Sequence, residues 1–332
     1  MISTEIYIYT VVVLFGLLFG SFLNVCIYRI PRIHPGLTEA SCMHLRGGSA
    51  TIPPDILTKL ESLKNQDYVT GNDFMTALEE QIGKEPAARY GELIFKSASF
   101  RKESVVFPSS HCPHCQAPIK PWDNVPVVSF LILRGECRAC HAKISWRYPL
   151  VELLTAGVFL TVVHQFSLTL VTLVYLSFVA ALIAISFIDL DHQIIPDEIT
   201  FPGIAVGIVV SFFLPLPATV THWYGSLLGT LVGGGVIALI GSVGAKVFKK
   251  EAMGGGDVKL MAMIGAFLGW QLALLTIFLG SVLGAVVGSV QKLTTDKEYI
   301  PFGPFLSLGA VITLFFGQQL LFWYWNLIFP AF

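Results

Sequence analysis

Charge is what this sequence has least of. Lysine, arginine, aspartate and glutamate make up 13% of its 332 residues, and 54% are hydrophobic. Soluble domains carry about 25% charged residues, so a wholly soluble globular chain is excluded. The acids and bases nearly cancel, 22 against 21, and no basic stripe stands out. Nothing here calls for a nucleic-acid partner. The N-terminus lacks a basic start, with Glu5 where a positive charge would be expected. The apolar run that follows is longer than a signal core and ends without a small-residue cleavage site, so it reads as a retained span. No HExxH occurs, which removes the common zinc-protease arrangement. His164 and His222 lie far from any serine elbow, which leaves a serine protease of the membrane interior without its base. No long internal repeat or low-complexity tract is present.

What is abundant is long apolar sequence. A helix crosses a bilayer in about 17–25 apolar residues. Candidate spans cover 6–28, 148–166, 169–188, 199–217, 224–246, 258–273, 274–292 and 303–325. The fold class is therefore a polytopic α-helical membrane protein of about eight transmembrane helices. Gly269-Trp270-Gln271 supplies the turn that divides 258–292. If the N-terminus lies outside and the chain alternates, the inside segments are 29–147, 189–198, 247–257 and 293–302. Nearly every Lys and Arg falls in or beside them, including Lys246, Lys249, Lys250, Lys292 and Lys297. The outside connections "HQFSLT" and "PLPATVTHWYG" hold none. Positive charge in short cytoplasmic loops sets orientation, so these segments face the cytoplasm.

Three regions follow: a first span at 1–28, a cytoplasmic domain at 29–147, and a polytopic membrane domain at 148–332. In the second, 33–107 reads as a solvated insertion. Within it "PPDILTKLESLKNQ" and "NDFMTALEEQIGK" have the pattern of amphipathic helices. Cys26 sits in the first span as a small apolar group, and Cys42 has no evident role. The other four cysteines form two pairs, Cys112-x-x-Cys115 and Cys137-x-x-Cys140. Two such knuckles present four thiolates tetrahedrally to zinc, and a site closed by four thiolates is structural. A reducing cytosol disfavours the disulfide alternative. With four cysteines at hand, the flanking His111, His114 and His141 are not needed as ligands.

Carboxylates gather where they are costly. "FIDLDHQIIPDEITFP" carries Asp189, Asp191, Asp197 and Glu198 between two apolar runs, and Asp257 follows Gly254-Gly255-Gly256 at the start of another. The alternating topology brings Asp189 and Asp257 to the same membrane face. Ionisable residues at span depth are functional suspects. Two neighbouring carboxyls share a proton, so one can activate water while the other protonates a leaving group. From spacing alone, an ion or proton pathway is the competing use of such a pair. Asp197 and Glu198 suit the first turn of the next helix, and Lys259 suits an anchor at the headgroups.

The ordered motifs carry a resemblance. "GSFLNVCIYRIP", the two cysteine pairs with "PWDNVPVVSFL" between them, "RYPLVELLTA", "FIDLDHQIIPD", "GGGDVKLMAMIGAFLGW" and "IPFGPFL" follow one another along most of the chain. In this the sequence resembles the type IV prepilin peptidases, bifunctional leader peptidase/N-methyltransferases of bacterial inner membranes. The resemblance implies that Asp189 and Asp257 are a catalytic pair and that Asp191 lies near it. The implied substrates are membrane-embedded type IV prepilins or type II secretion pseudopilins. Their leader is cut at the cytoplasmic face, and the new N-terminus is methylated from S-adenosylmethionine. No soluble-type glycine-rich methyltransferase fingerprint is present, so the donor's residues are not assigned. The polar, cysteine-bearing segment is the natural place for that cofactor. Gly135 and Glu136 stand beside its third cysteine, and "PFGP" fixes the entry of the last span.

Overall fold

The structure is a computed structural model that describes residues 2–32, 56, 59–60, 71–97, 110–214, 216, 223–249, 253–294 and 301–328. The described residues are mainly helical, with turns and two isolated β-bridges. They divide into two compact units, 25–119 and 1–24 with 120–332. Cys42 and most of 53–66 lie outside the described residues.

The described part of 33–107 holds more order than the solvated insertion expected there. Helix α2 (Gly71–Ile82) forms where the second amphipathic pattern predicts it, and α3 (Lys84–Ser97) follows at once. Gly83, with φ of 90°, makes the turn between them. Leu78, Ile82, Ala87 and Ile94, together with Ile56 and Leu60, build a small core in which none is more than 6% exposed. The solvated reading is thus corrected for this part. Apolar residues four and seven apart on consecutive helices make facing stripes, and stripes that meet exclude water.

In the other unit the apolar runs become long helices. Six helices are long and apolar enough to cross a membrane among the described residues. They are α1 (Ile2–Arg29), α5 (Arg147–Phe166), α6 (Leu170–His192), α8 (Trp223–Phe248), α9 (Gly255–Thr294) and α10 (Gly303–Ile328). Two smaller helices are α4 (Val128–Ile132) and α7 (Asp197–Phe213).

The difference from the expected eight has two sources. Helix α7 has only 17 residues. Helix α9 is two helices that adjoin without a gap at Gly269, whose φ of 76° and ψ of 171° are not helical, so the division expected there is present although the two halves form one continuous apolar stretch. Such torsions belong to glycine alone. The part of α9 beyond Gly269 runs antiparallel to α10. Thr276 and Thr313 share a hydrogen bond at 2.8 Å, and Gly280 and Gly284 pack at Leu306 and Phe302.

Small residues set the seams. A Cβ on Gly16 or Gly20 of α1 would lie 2.6 Å from the Cα of Ala156 or Glu152 of α5. Helices α8 and α9 meet still more closely at Gly229 and Gly265, and beside them the Ser226 hydroxyl donates to the Ala266 carbonyl at 2.7 Å. In lipid the hydrophobic effect does not drive helices together, so close packing and interhelical hydrogen bonds hold the bundle. The first half of α9 is its most buried part: Leu260, Met261, Met263, Ile264 and Ala266 have no exposed surface. Phe267 stacks there on Phe178 of α6, with centroids 4.6 Å apart.

Candidate active site

Helix α6 delivers Asp189 in its last turn. The helix ends because Gln193 adopts a left-handed conformation (φ 55°) and donates its N–H to the Asp189 carbonyl at 2.9 Å. Pro196 then precedes α7, whose first turn carries Asp197 and Glu198 as expected. The Asp189 side chain turns inward and is only 5% exposed.

Helix α9 delivers Asp257 in its first turn, 8% exposed. The three preceding glycines allow close approach, and none of them uses a left-handed φ. A Cβ on Gly256 would lie 2.9 Å from the Cβ of Ile195, so the bare glycine lets the α6–α7 turn pack against the start of α9. The Gly254 backbone hydrogen-bonds to the Asp257 carboxyl.

Helix α10 contributes the part that sequence reasoning missed. The Gly303 N–H donates to Oδ2 of Asp189 at 2.9 Å. A Cβ on Gly303 would meet that oxygen at 2.6 Å and the Cδ1 of Ile195 at 3.3 Å. "PFGP" therefore does more than start a helix: its glycine holds a carboxyl. Ile195 touches both glycine positions and closes one side of the site. The signal was present in the glycine between two prolines, but an isolated PFGP looks the same at any helix entry. Ile195 packs against Gly256, the neighbour of Asp257, and against Gly303, which holds Asp189, so two residues far apart in sequence lie at one site. Two adjoining carboxyls in a site shielded from water favour one shared proton over two negative charges.

Two further acids near the site, Asp191 and Asp197, are paired. Asp191 is bound by Arg147 of α5. Arg147 also donates to the Phe187 carbonyl at 3.1 Å and lies over the Phe187 ring. Lys259 reaches Asp197 at 2.5 Å and lies over the Phe201 ring, so it ties α9 to α7, where an anchor at the headgroups was expected. An apolar groove of about 500 Å³ follows the start of α5 and the end of α6, lined by Leu150, Leu153, Phe187 and Leu190 with the Arg147–Asp191 pair at its edge.

The four cysteines of the two knuckles come together. The Sγ atoms of Cys112, Cys115, Cys137 and Cys140 all lie within 4.8 Å of one another. Four thiolates about 2.3 Å from one zinc would stand about 3.8 Å apart, so this donor set fits a tetrahedral metal ion. The knuckles repeat each other. The N–H of Cys112 bonds to Ala117 and that of Cys137 to Ala142. Gln116 and His141 then turn back with φ of 59° and 57°. Neither His111, His114 nor His141 belongs to the group. Arg138, inside the second knuckle, donates to Asp123, which lies between the two, at 2.6 Å and holds its carboxyl below the usual range.

Comparison with known proteins agrees with this architecture. Residues 14–166 match the model of the Bacterial Peptidase A24 N-terminal domain, and residues 176–289 that of the Type IV leader peptidase family. A prepilin leader peptidase/N-methyltransferase of Pseudomonas aeruginosa is 34% identical over 93% of this chain and 90% of its own. One of Neisseria gonorrhoeae is 35% identical over 90% and 86%. One of Legionella pneumophila is 32% identical over 96% and 94%. No solved structure matches. Matching both models in order, and similar to these relatives along nearly their whole length, the chain belongs to the type IV leader peptidase family.

Proposed function

We propose that this protein removes the leader peptide of type IV prepilins or type II secretion pseudopilins and then N-methylates the new N-terminus. The observation that carries the reading is the meeting of Asp189 and Asp257. Two buried carboxyls, each held by a glycine backbone at the end of a membrane helix, converge in a chain of this family. A carboxyl pair sharing one proton hydrolyses a peptide bond without a covalent intermediate. One carboxylate takes a proton from water as the water attacks the carbonyl carbon, and the protonated partner gives its proton to the departing amine.

The lysines and arginines orient the chain. With the N-terminus in the periplasm, both aspartates and residues 29–147 face the cytoplasm of a bacterial inner membrane. The dyad then stands where water meets a membrane-embedded substrate. Residues 148–332 form the peptidase domain and 29–147 the cytoplasmic domain. Cys112, Cys115, Cys137 and Cys140 would hold a structural zinc ion, which ties the two knuckles together and offers no open position for water. S-adenosylmethionine, the methyl donor that the resemblance implies, is charged and soluble in water. Its pocket belongs in the polar segment outside the spans.

The test is the intact mass of a purified prepilin after incubation with the full chain in detergent and S-adenosylmethionine. The wild type is run beside Asp189→Asn and Asp257→Asn. Cleavage and a methyl increment are expected from the wild type, and neither from the two variants. Full cleavage by folded variants would end the aspartyl reading, and no cleavage by the wild type would favour a proton-coupled transporter or a non-enzymatic assembly role. Cleavage without the increment would remove the methyl transfer alone.

A further inference from the structure

One buried acid takes no part in the dyad. Glu152 lies in α5, well inside the helix, and is 7% exposed. Its Oε2 accepts the backbone N–H of Val127 at 2.8 Å, and the Ser21 hydroxyl of α1 bonds to it as well. Gly20 of α1 packs directly on its Cα and shuts water out on that side. A carboxylate at span depth is costly, and a leucine would fill such a seam without the cost. The residue it grips explains its presence.

Val127 is strained. Its φ is 59° and its ψ −48°, and the N–H of Val128 reaches back to the Pro126 carbonyl at 2.5 Å. This is the rare form of the three-residue turn, occupied here by a β-branched side chain that avoids positive φ. Such strain persists only where the surroundings hold it, and it gathers at functional sites. The turn aims α4, and α4 leads to the second knuckle. Gly135 donates to the Phe130 carbonyl at 2.9 Å, and the Phe130 ring rests on Trp146 at the start of α5, centroids 4.7 Å apart. Cys137 comes two residues after Gly135.

We infer that Glu152 is a positioning residue for the methyl-transfer half of the protein: by holding the strained turn at Val127 it fixes the segment that carries the second cysteine knuckle on membrane helix α5. Cleavage at the aspartates uses no part of this contact. The inference rests on the two-activity reading above.

The test uses the full chain in detergent with a model prepilin and S-adenosylmethionine. Cleavage and methyl increment are read by intact mass, and backbone opening by hydrogen exchange over 125–133. Glu152→Ala removes the acceptor. Its cleavage rate should stay within about twofold of wild type while methylation falls at least about tenfold, the scale of one lost charge-assisted hydrogen bond. Exchange over 125–133 should quicken. Glu152→Gln keeps an oxygen acceptor and should recover most of the methylation. Wild-type methylation and exchange in Glu152→Ala would overturn the inference. So would a joint loss of both activities with a lowered melting temperature, because the role would then be structural. If the wild type cleaves without methylating, the two-activity reading fails by itself. Exchange in Glu152→Ala then decides whether Glu152 holds the turn, and unchanged exchange would refute it.

Discussion

The backbone N–H of Gly303 donates to Oδ2 of Asp189 across 2.9 Å, joining residues 114 positions apart. The carboxyl stands at the end of one membrane helix and the donor at the start of another. A helix start offers N–H groups with no partner inside the helix, and here one of them is spent on a buried acid. The bond fixes which way Asp189 faces. In the proposed dyad the other oxygen, Oδ1, is the one left for the shared proton and for water.

Gly303→Ala should therefore impair cleavage more than folding. Its Cβ would stand 2.6 Å from Oδ2, which forces the carboxyl or the start of α10 to move. Displacing a reacting group by about 1 Å can cost about 100-fold in rate. Turnover of a model prepilin should fall on that scale, with a melting temperature in detergent near that of wild type. An unimpaired rate would mean that the Gly303 contact does not set the dyad.

The cysteines make a separable prediction. Substituting one of four ligands in a closed site leaves too few donors to hold the ion, so Cys137→Ser should lose metal. Elemental analysis of the purified chain should give one zinc per wild-type molecule and well under one in the variant. Because apo forms of such sites lose their fold, hydrogen exchange should rise across 110–146 and stay unchanged in α6, α9 and α10. Equal metal content in the two proteins would refute the four-thiolate site.

Asp189, Asp257 and the four cysteines could be found in the sequence because each breaks its surroundings. An acid in an apolar run and paired cysteines at knuckle spacing are local signals. Their partners are not local. Gly303 and Ile195 gain a role only when α6, α9 and α10 come together, and neither is unusual as a residue type. Glu152 stands within "RYPLVELLTA", but its partner Val127 lies 25 positions away in a turn whose strain no propensity reveals. The core of 25–119 stayed hidden because its apolar residues are few and mixed with charge. The break in α9 was legible, because Gly269-Trp270-Gln271 interrupts a run that is apolar on both sides, and the backbone leaves the helix at that glycine. Lys259 has the sequence pattern of a headgroup anchor, and its partner Asp197 sits 62 positions away.

Glycines inside one helix should separate by what faces them. In α8 a Cβ on Gly229 would lie 2.1 Å from the Gly265 carbonyl oxygen, and a Cβ on Gly235 would meet nothing within 4 Å. The obstacle at Gly229 is backbone, which cannot swing aside as a long side chain can. Gly229→Ala must then part α8 from α9 and weaken the Ser226–Ala266 bond beside them. Overpacking of this kind costs about 1–3 kcal/mol. Gly235→Ala meets no obstacle and removes the conformational freedom of a helical glycine, which gains up to about 1 kcal/mol. Thermal unfolding in one detergent should rank Gly235→Ala at or above wild type and Gly229→Ala clearly below it. Because α9 also carries Asp257, the Gly229 variant should lose cleavage activity at a lower temperature too. Equal melting temperatures for the two variants would show that the α8–α9 seam is looser than its glycines require.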